Sequence, residues 1–139
     1  MKNQIIIDTG PLIALLDKSD NYHQWMTEKV KILSPPFLTC DAVITECCFL
    51  LKRAYNGQNM LFSLLENNHL QLAFNLKEEL TQIKALMNRY QSVPMSLADA
   101  CLVRMSELFY PSKILTFDSD FLIYRQNKNQ SISLIAPDV

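Results

Sequence analysis

The sequence predicts an α/β domain built on a parallel sheet. Short apolar runs rich in β-branched residues alternate with longer segments of helical periodicity, and strands joined by helical crossovers lie parallel with both sheet faces covered. Length agrees: 139 residues with 49% hydrophobic content suffice for one core of ordinary size. A single domain over 1–139 is expected.

The elements follow in order. Residues 4–7, containing Ile5-Ile6-Ile7, read as the first strand, with others at 36–39, 69–74, 113–117 and 131–136. A helix over 11–17 carries proline in its first turn, and one over 20–33 is entered through Ser19-Asp20. Residues 41–55 and 58–67 form a helical pair broken at Asn56-Gly57, and helices over 77–92 and 96–109 flank Pro94. No repeat, low-complexity segment or linker interrupts the pattern.

Four acids stand in apolar surroundings. Asp8 ends the isoleucine run, Glu46 interrupts the stretch from Ala42 to Leu51, Asp99 opens Asp99-Ala100-Cys101-Leu102-Val103, and Asp118 ends Ile114-Leu115-Thr116-Phe117. Buried carboxylates need partners, yet the i±3 and i±4 neighbours of Glu46 are Ala42, Val43, Phe49 and Leu50. A divalent cation is the expected missing partner. Parallel sheets place sites beyond the carboxyl ends of their strands, which gives Asp8, Asp118 and the helix-opening Asp99 a common address within reach of Glu46. Each acid also fits a local role. Ser96-Leu97-Ala98-Asp99 matches a capping box, Asp8 and Asp118 suit turns or N-caps, and Glu46 suits an exposed helix face or a distant ion pair.

Other chemistries are disfavoured. Gly10 and Gly57 are the only glycines, so neither a GxGxxG loop nor a P-loop can be written. Cys40, Cys47, Cys48 and Cys101 lack CxxC spacing and His23 and His69 lie far apart, which favours buried free thiols over a zinc site. The aromatic residues lack the pattern of an RNA-recognition motif and read mostly as packing residues. A formal net charge of -1 argues against broad adhesion to nucleic acid but leaves room for a local basic patch. No apolar run is long enough for a membrane span and the N-terminus lacks a signal-peptide succession, so no membrane partner and a cytoplasmic location are expected.

Taken in order, the blocks Ile6-Ile7-Asp8-Thr9-Gly10-Pro11-Leu12, Thr45-Glu46, Ser96-Leu97-Ala98-Asp99-Ala100 and Leu115-Thr116-Phe117-Asp118-Ser119-Asp120-Phe121 resemble the PIN-domain ribonucleases, particularly the VapC-like toxins of bacterial toxin–antitoxin pairs. The resemblance spans nearly the whole chain. It implies a PIN-like three-layer sandwich with a central parallel five-stranded sheet flanked by helices, and an acidic pocket of Asp8, Glu46, Asp99 and Asp118. It also implies an RNA substrate, a homodimer, and a protein antitoxin whose C-terminal segment fills a groove near the pocket.

The chemistry of the acids agrees. Mg²⁺ or Mn²⁺ takes hard oxygen ligands and retains waters, with Asp8 and Asp99 as first choices for direct ligands, Asp118 direct or through water, and Glu46 holding a second ion or orienting the attacking water. Hydrolysis of an RNA phosphodiester would then need no covalent protein intermediate. Asp120 competes with Asp118 as the strand-end acid, though Asp118 follows the strand directly. Thr9 and Thr116 either hydrogen-bond a carboxylate or face solvent. Ser96 reads as a cap rather than a nucleophile and His23 as a structural or interface residue. Lys52, Arg53, Arg89, Arg104 and Lys113 are candidate phosphate contacts. The apolar surplus of Leu12, Ile13, Leu15, Leu16, Trp25 and Met26 either serves the core or meets another chain. Two other readings of the whole chain remain beside the toxin: an RNA-processing nuclease outside a toxin–antitoxin pair, and a noncatalytic PIN scaffold for a protein or RNA partner. A structure-specific DNA nuclease fits less well, for want of the additional domains such enzymes carry.

Overall fold

The computed structural model describes residues 4–137. Its first strand, β1 (Gln4–Ile7), buries three consecutive isoleucines, a pattern that only a strand covered on both faces accommodates. It lies centrally, paired in parallel with β2 (Phe37–Thr39) on one side and β4 (Ser112–Leu115) on the other. The strand β3 (Leu70–Leu72) adds beyond β2. A two-residue strand β7 (Leu134–Ile135) adds beyond β4, giving a parallel five-stranded sheet in the order β3-β2-β1-β4-β7.

Six helices flank it among the described residues: α1 (Thr9–Leu16), α2 (His23–Ile32), α3 (Asp41–Leu50), α4 (Gly57–Glu66), α5 (Leu80–Arg89) and α6 (Leu97–Leu108). The helix α6 packs on β4 and β1 and receives α5 on its side, whereas α1 contacts α2, α3 and α4. One buried cluster runs through the sheet and both sets of helices, including Ile6, Leu12, Met26, Leu61, Leu102 and Ile114. The expected α/β architecture is therefore present.

Three expected segments need correction. The segment 131–136 is not one strand: Gln130–Ser131 (β6) pairs antiparallel with Arg125–Gln126 (β5), and the chain then bends before β7. The crossover from β4 to β7 is thus made by a 3-10 turn (Ser119–Leu122) and a hairpin instead of a helix. The helix expected over 41–55 stops at Leu50 and tightens into a 3-10 turn over Leu51–Arg53. The capping role of Ser19-Asp20 moves outward, because Asp20 accepts from the Tyr22 amide at 2.9 Å and α2 begins only at His23. Elsewhere the ends differ from expectation by one to three residues, with α1 starting two residues earlier, at Thr9.

The Asn56-Gly57 break occurs where expected, for two separate reasons. Asn56 takes a left-handed φ of 57°, which asparagine tolerates. Gly57 is needed for space, since a Cβ there would lie 3.1 Å from the Leu51 carbonyl oxygen. The apolar surplus of α1 and α2 goes largely to the core: Leu12, Ile13, Leu16 and Met26 are buried, and Leu15 and Trp25 half-buried. His23 serves structure too, its Nδ1 sitting 2.7 Å from the Ala14 carbonyl and tying α2 to α1.

Candidate active site

The carboxyl ends of β1 and β4 lie side by side, and the helix N-termini beyond them frame a cavity of ≈ 580 Å³. All four acids line it. Asp8 comes from the end of β1, Glu46 from the second turn of α3, Asp99 from the first turn of α6, and Asp118 from the turn after β4. Sequence separations of 38, 53 and 19 residues are closed by the sheet order alone.

The four are not equivalent. Asp8 and Asp99 form the floor, only 8% and 7% exposed, whereas Glu46 and Asp118 stand exposed at the mouth. The expectation that all four are buried is therefore corrected for two of them. For Glu46 the helix geometry explains the difference: on α3 the core-facing positions are Val43 and Cys47, and Glu46, about 100° round the helix from Cys47, is turned toward the opening.

Asp8 caps α1. Its Oδ1 accepts from the Thr9 amide at 2.7 Å and its Oδ2 from the Thr116 hydroxyl at 2.8 Å. Burial nonetheless drives its pKa up to about 6, outweighing both hydrogen bonds, and the charges of Asp99 and Asp118 add to the rise. Asp99 combines the two roles the sequence left open. The hydroxyl of Ser96 accepts from its amide at 3.0 Å, the first half of a capping box, while its own Oδ2 accepts 3.0 Å away from the hydroxyl of Tyr124. Burial raises its pKa as well, against Tyr124, with Asp118 adding to the rise. Among the described residues, no ion pair reaches Asp8 or Asp99. Two carboxylates are thus desolvated without a cationic side chain to offset them.

Thr116 is the link between β4 and the acids. It is buried, not solvent-facing: besides donating to Asp8, it accepts from the Asp118 amide at 3.0 Å, which fixes the turn carrying Asp118. Asp118 then accepts from the Asp120 amide at 2.9 Å, so Asp120 supports the turn and Asp118 is the one that lines the cavity. The Thr9 hydroxyl is buried without an oxygen or nitrogen partner, faced by the Cys47 thiol. Tyr124 was not anticipated. It is fully buried, stacked edge-on against Tyr90 and Phe121, and burial together with Asp99 pushes its phenol pKa up so that it remains a donor. Its one sequence signal is a phenol in an otherwise apolar stretch, which has to find a partner when buried.

Among the five candidate phosphate contacts, Arg53 alone lines this cavity, at the mouth and 3.7 Å from Asp17. Arg89 and Arg104 line a separate depression formed by α5, α6 and the β5 region, and Arg104 is held there by Glu79 at 2.6 Å and Glu107 at 2.9 Å. Lys52 sits over the Phe49 ring, and Lys113 belongs to β4. Of the cysteines, Cys40, Cys47 and Cys101 are buried free thiols as expected, and Cys48 is half-buried.

Residues 5–126 match the PIN domain family profile. The chain belongs to the PIN domain family. Among solved structures, the PIN domain here is similar to VapC20 of Mycobacterium tuberculosis, a sarcin–ricin loop cleaving toxin, with a TM-score of 0.76 and 18% sequence identity over 84% of this chain and 92% of that one. At that identity the likeness concerns the fold. No curated protein gives a significant match.

The donor set fits a hard divalent cation. Carboxylate oxygens are the ligands Mg²⁺ and Mn²⁺ select, and Asp8 and Asp99 each retain unused lone pairs beside those taken by Thr9, Thr116 and Tyr124. Among the described residues no three His, Cys, Asp or Glu side chains already converge as a closed cage. An open site of few carboxylates, completed by water and phosphate, is the arrangement Mg²⁺ favours.

Proposed function

We propose that this PIN domain, a single domain over 1–139, is a metal-dependent endoribonuclease that hydrolyses RNA phosphodiester bonds. The observation that carries the reading is the pair of buried carboxylates, Asp8 and Asp99, lining one cavity with Glu46 and Asp118 and, among the described residues, held in an ion pair by no cationic side chain. A noncatalytic scaffold has no use for two acids in one cavity whose pKa values burial raises.

In this reading Asp8 and Asp99 hold Mg²⁺ or Mn²⁺ directly. Bound there, the cation supplies Lewis acidity, drawing charge from a phosphate and lowering the pKa of water. The protein does the rest. Thr116 and Tyr124 orient the two floor carboxylates from behind, so their free lone pairs are presented without reorganisation. Glu46 and Asp118, still in contact with solvent, order water at the mouth and complete the ligand set. Arg53 beside that mouth meets the phosphate backbone of the incoming RNA.

The resemblance to VapC-like toxins, together with a fold similar to that of VapC20, supports a toxin neutralised by an antitoxin in the cytoplasm. Purified, antitoxin-free protein is expected to cut structured RNA in Mg²⁺ or Mn²⁺, to stop in EDTA, and to leave a 5′-phosphate. Cleavage that persists in EDTA, or a 2′,3′-cyclic phosphate product, would overturn the metal-assisted hydrolysis.

The same resemblance supports a homodimer, and exposed apolar side chains are available for it. Phe49 and Tyr55, the latter 97% exposed, stand at the end of α3 and in the turn beyond it, with Phe62 half-exposed on α4. Light scattering at dilute concentration should give twice the chain mass. A monomeric mass throughout removes the dimer from the proposal.

A further inference from the structure

Next to the acidic cavity lies a second groove of ≈ 240 Å³, and the two share a wall made of Tyr22, Phe117 and Asp118. The groove continues past Asp118 to Ser119, Leu122 and Leu134. Among the described residues no lysine or arginine lines it, and none of these neutralises a phosphate there. What it offers instead is aromatic and aliphatic surface with a carboxylate and a hydroxyl at the rim.

The aromatic wall is built, not incidental. Phe117 is held between Tyr22, 4.7 Å away between ring centroids, and Trp25, which meets it edge-on at 5.6 Å. Gly10 lets the ring settle over the start of α1, because a Cβ at that position would come within 3.1 Å of Phe117 Cδ2. The outer member, Tyr22, is left 42% exposed although its ring packs on Phe117. An exposed aromatic face beside a phosphate-handling cavity is what single-stranded nucleic acids stack upon.

We propose that Tyr22 and Phe117 form a nucleobase subsite, taking the base of a nucleotide that flanks the phosphate held in the acidic cavity. The proposal rests on the ribonuclease reading and names how the substrate is gripped. A neutral, planar base fits a groove without cations better than a phosphate does, and the Asp118–Ser119 rim can accept hydrogen bonds from an exocyclic amino group. Unstacked bases are thereby selected, since a base paired within a helix cannot turn its face to Tyr22. Tyr22 and Phe117 are positioning residues: they fix the register of the strand across the acids.

The test uses the full chain in Ca²⁺ with labelled oligoadenylate and an abasic ribose-phosphate oligomer of equal length, followed by anisotropy and by the fluorescence of Trp25, the single tryptophan. Tyr22→Leu keeps the apolar bulk and removes the ring; Tyr22→Phe keeps the ring. Oligoadenylate should bind Tyr22→Leu about tenfold more weakly, the equivalent of about 1.4 kcal/mol, with Tyr22→Phe close to wild type. The abasic oligomer should not distinguish the three proteins, and oligoadenylate alone should quench Trp25. In Mn²⁺, Tyr22→Leu should raise KM for RNA more than it lowers kcat. Equal oligoadenylate affinity for wild type and Tyr22→Leu would overturn the subsite and leave the groove to an apolar peptide segment. Protein that shows ring-dependent, base-dependent binding but cuts no RNA in Mn²⁺ would instead uphold the subsite and overturn the nuclease, so the two failures are separate.

Discussion

Asp8→Asn is expected to do two opposite things: remove RNA cleavage and stabilise the metal-free fold at neutral pH. Loss of a floor carboxylate forfeits several kcal/mol of charge stabilisation in the transition state, about a thousandfold in rate. The stability effect comes from the same carboxylate. With its pKa lifted from 3.8 to about 6 by burial, folded Asp8 binds a proton that the unfolded chain has already released, so wild-type stability falls as pH rises through that window. Above about pH 6 the accumulated cost is about 3 kcal/mol, at 1.36 kcal/mol per pKa unit. Asparagine escapes it but cannot accept from both the Thr9 amide and the Thr116 hydroxyl, a loss of about 1 kcal/mol. A net gain of about 1–2 kcal/mol at about pH 8 should therefore shrink and reverse by about pH 4, close to the unfolded pKa of 3.8, where the folded carboxyl is protonated and little of the cost remains. Denaturant melts in EDTA across that range check it. A substitution that destabilises equally at every pH would show that Asp8 carries no desolvation cost.

Thr116→Val should shift the pH dependence of cleavage without touching any acid. Valine matches threonine in shape, so the buried site stays filled, but Asp8 Oδ2 loses the hydroxyl donor 2.8 Å away. That hydrogen bond is the largest influence holding the Asp8 pKa down, and its removal lets burial push the carboxyl further above about 6. The acid limb of the rate profile should move to higher pH, with about a tenfold loss near neutrality that alkaline buffer partly restores. The fold should lose about 1–3 kcal/mol, because a buried acceptor is left short of a donor. Thr116→Ser, which keeps the hydroxyl, should behave as wild type. An acid limb that stays in place for Thr116→Val would remove Thr116 from the control of Asp8.

The two variants together separate charge from orientation. Asp8→Asn removes the charge and leaves the Thr116 hydroxyl in place; Thr116→Val leaves the charge and removes its donor. Both act on one network, so their effects on stability should not add.

Much of this protein was legible in one dimension because the relevant signals are local. Three isoleucines in a row specify a strand covered on both faces, Pro11 and Ser96 mark helix starts, and Asn56-Gly57 marks a break, each through the steric or hydrogen-bonding habits of a few neighbouring residues. The α/β class, the parallel sheet and the four acids follow from such signals. The fifth strand was legible only as the segment 131–136 that contains β7, and the hairpin β5–β6 was not legible, since strands of two residues are too brief for a hydrophobic period and exist by pairing with distant or looped-back backbone.

The character of each acid was decided only in three dimensions. Sequence marks Asp8, Glu46, Asp99 and Asp118 alike as acids in apolar stretches, but exposure depends on which way a helix or turn presents its residue once packed. Asp8 and Asp99 face inward and are desolvated, whereas Glu46 and Asp118 face the opening. Their supports were hidden for the same reason: Thr116 is 108 residues from Asp8 and Tyr124 is 25 from Asp99, distances that no periodicity spans. Likewise, Tyr22 and Phe117 are single aromatic residues until the sheet brings the end of β4 against the start of α2. Composition and local pattern determine which groups are available; the order of strands determines which of them meet, and burial then determines the charge they can hold.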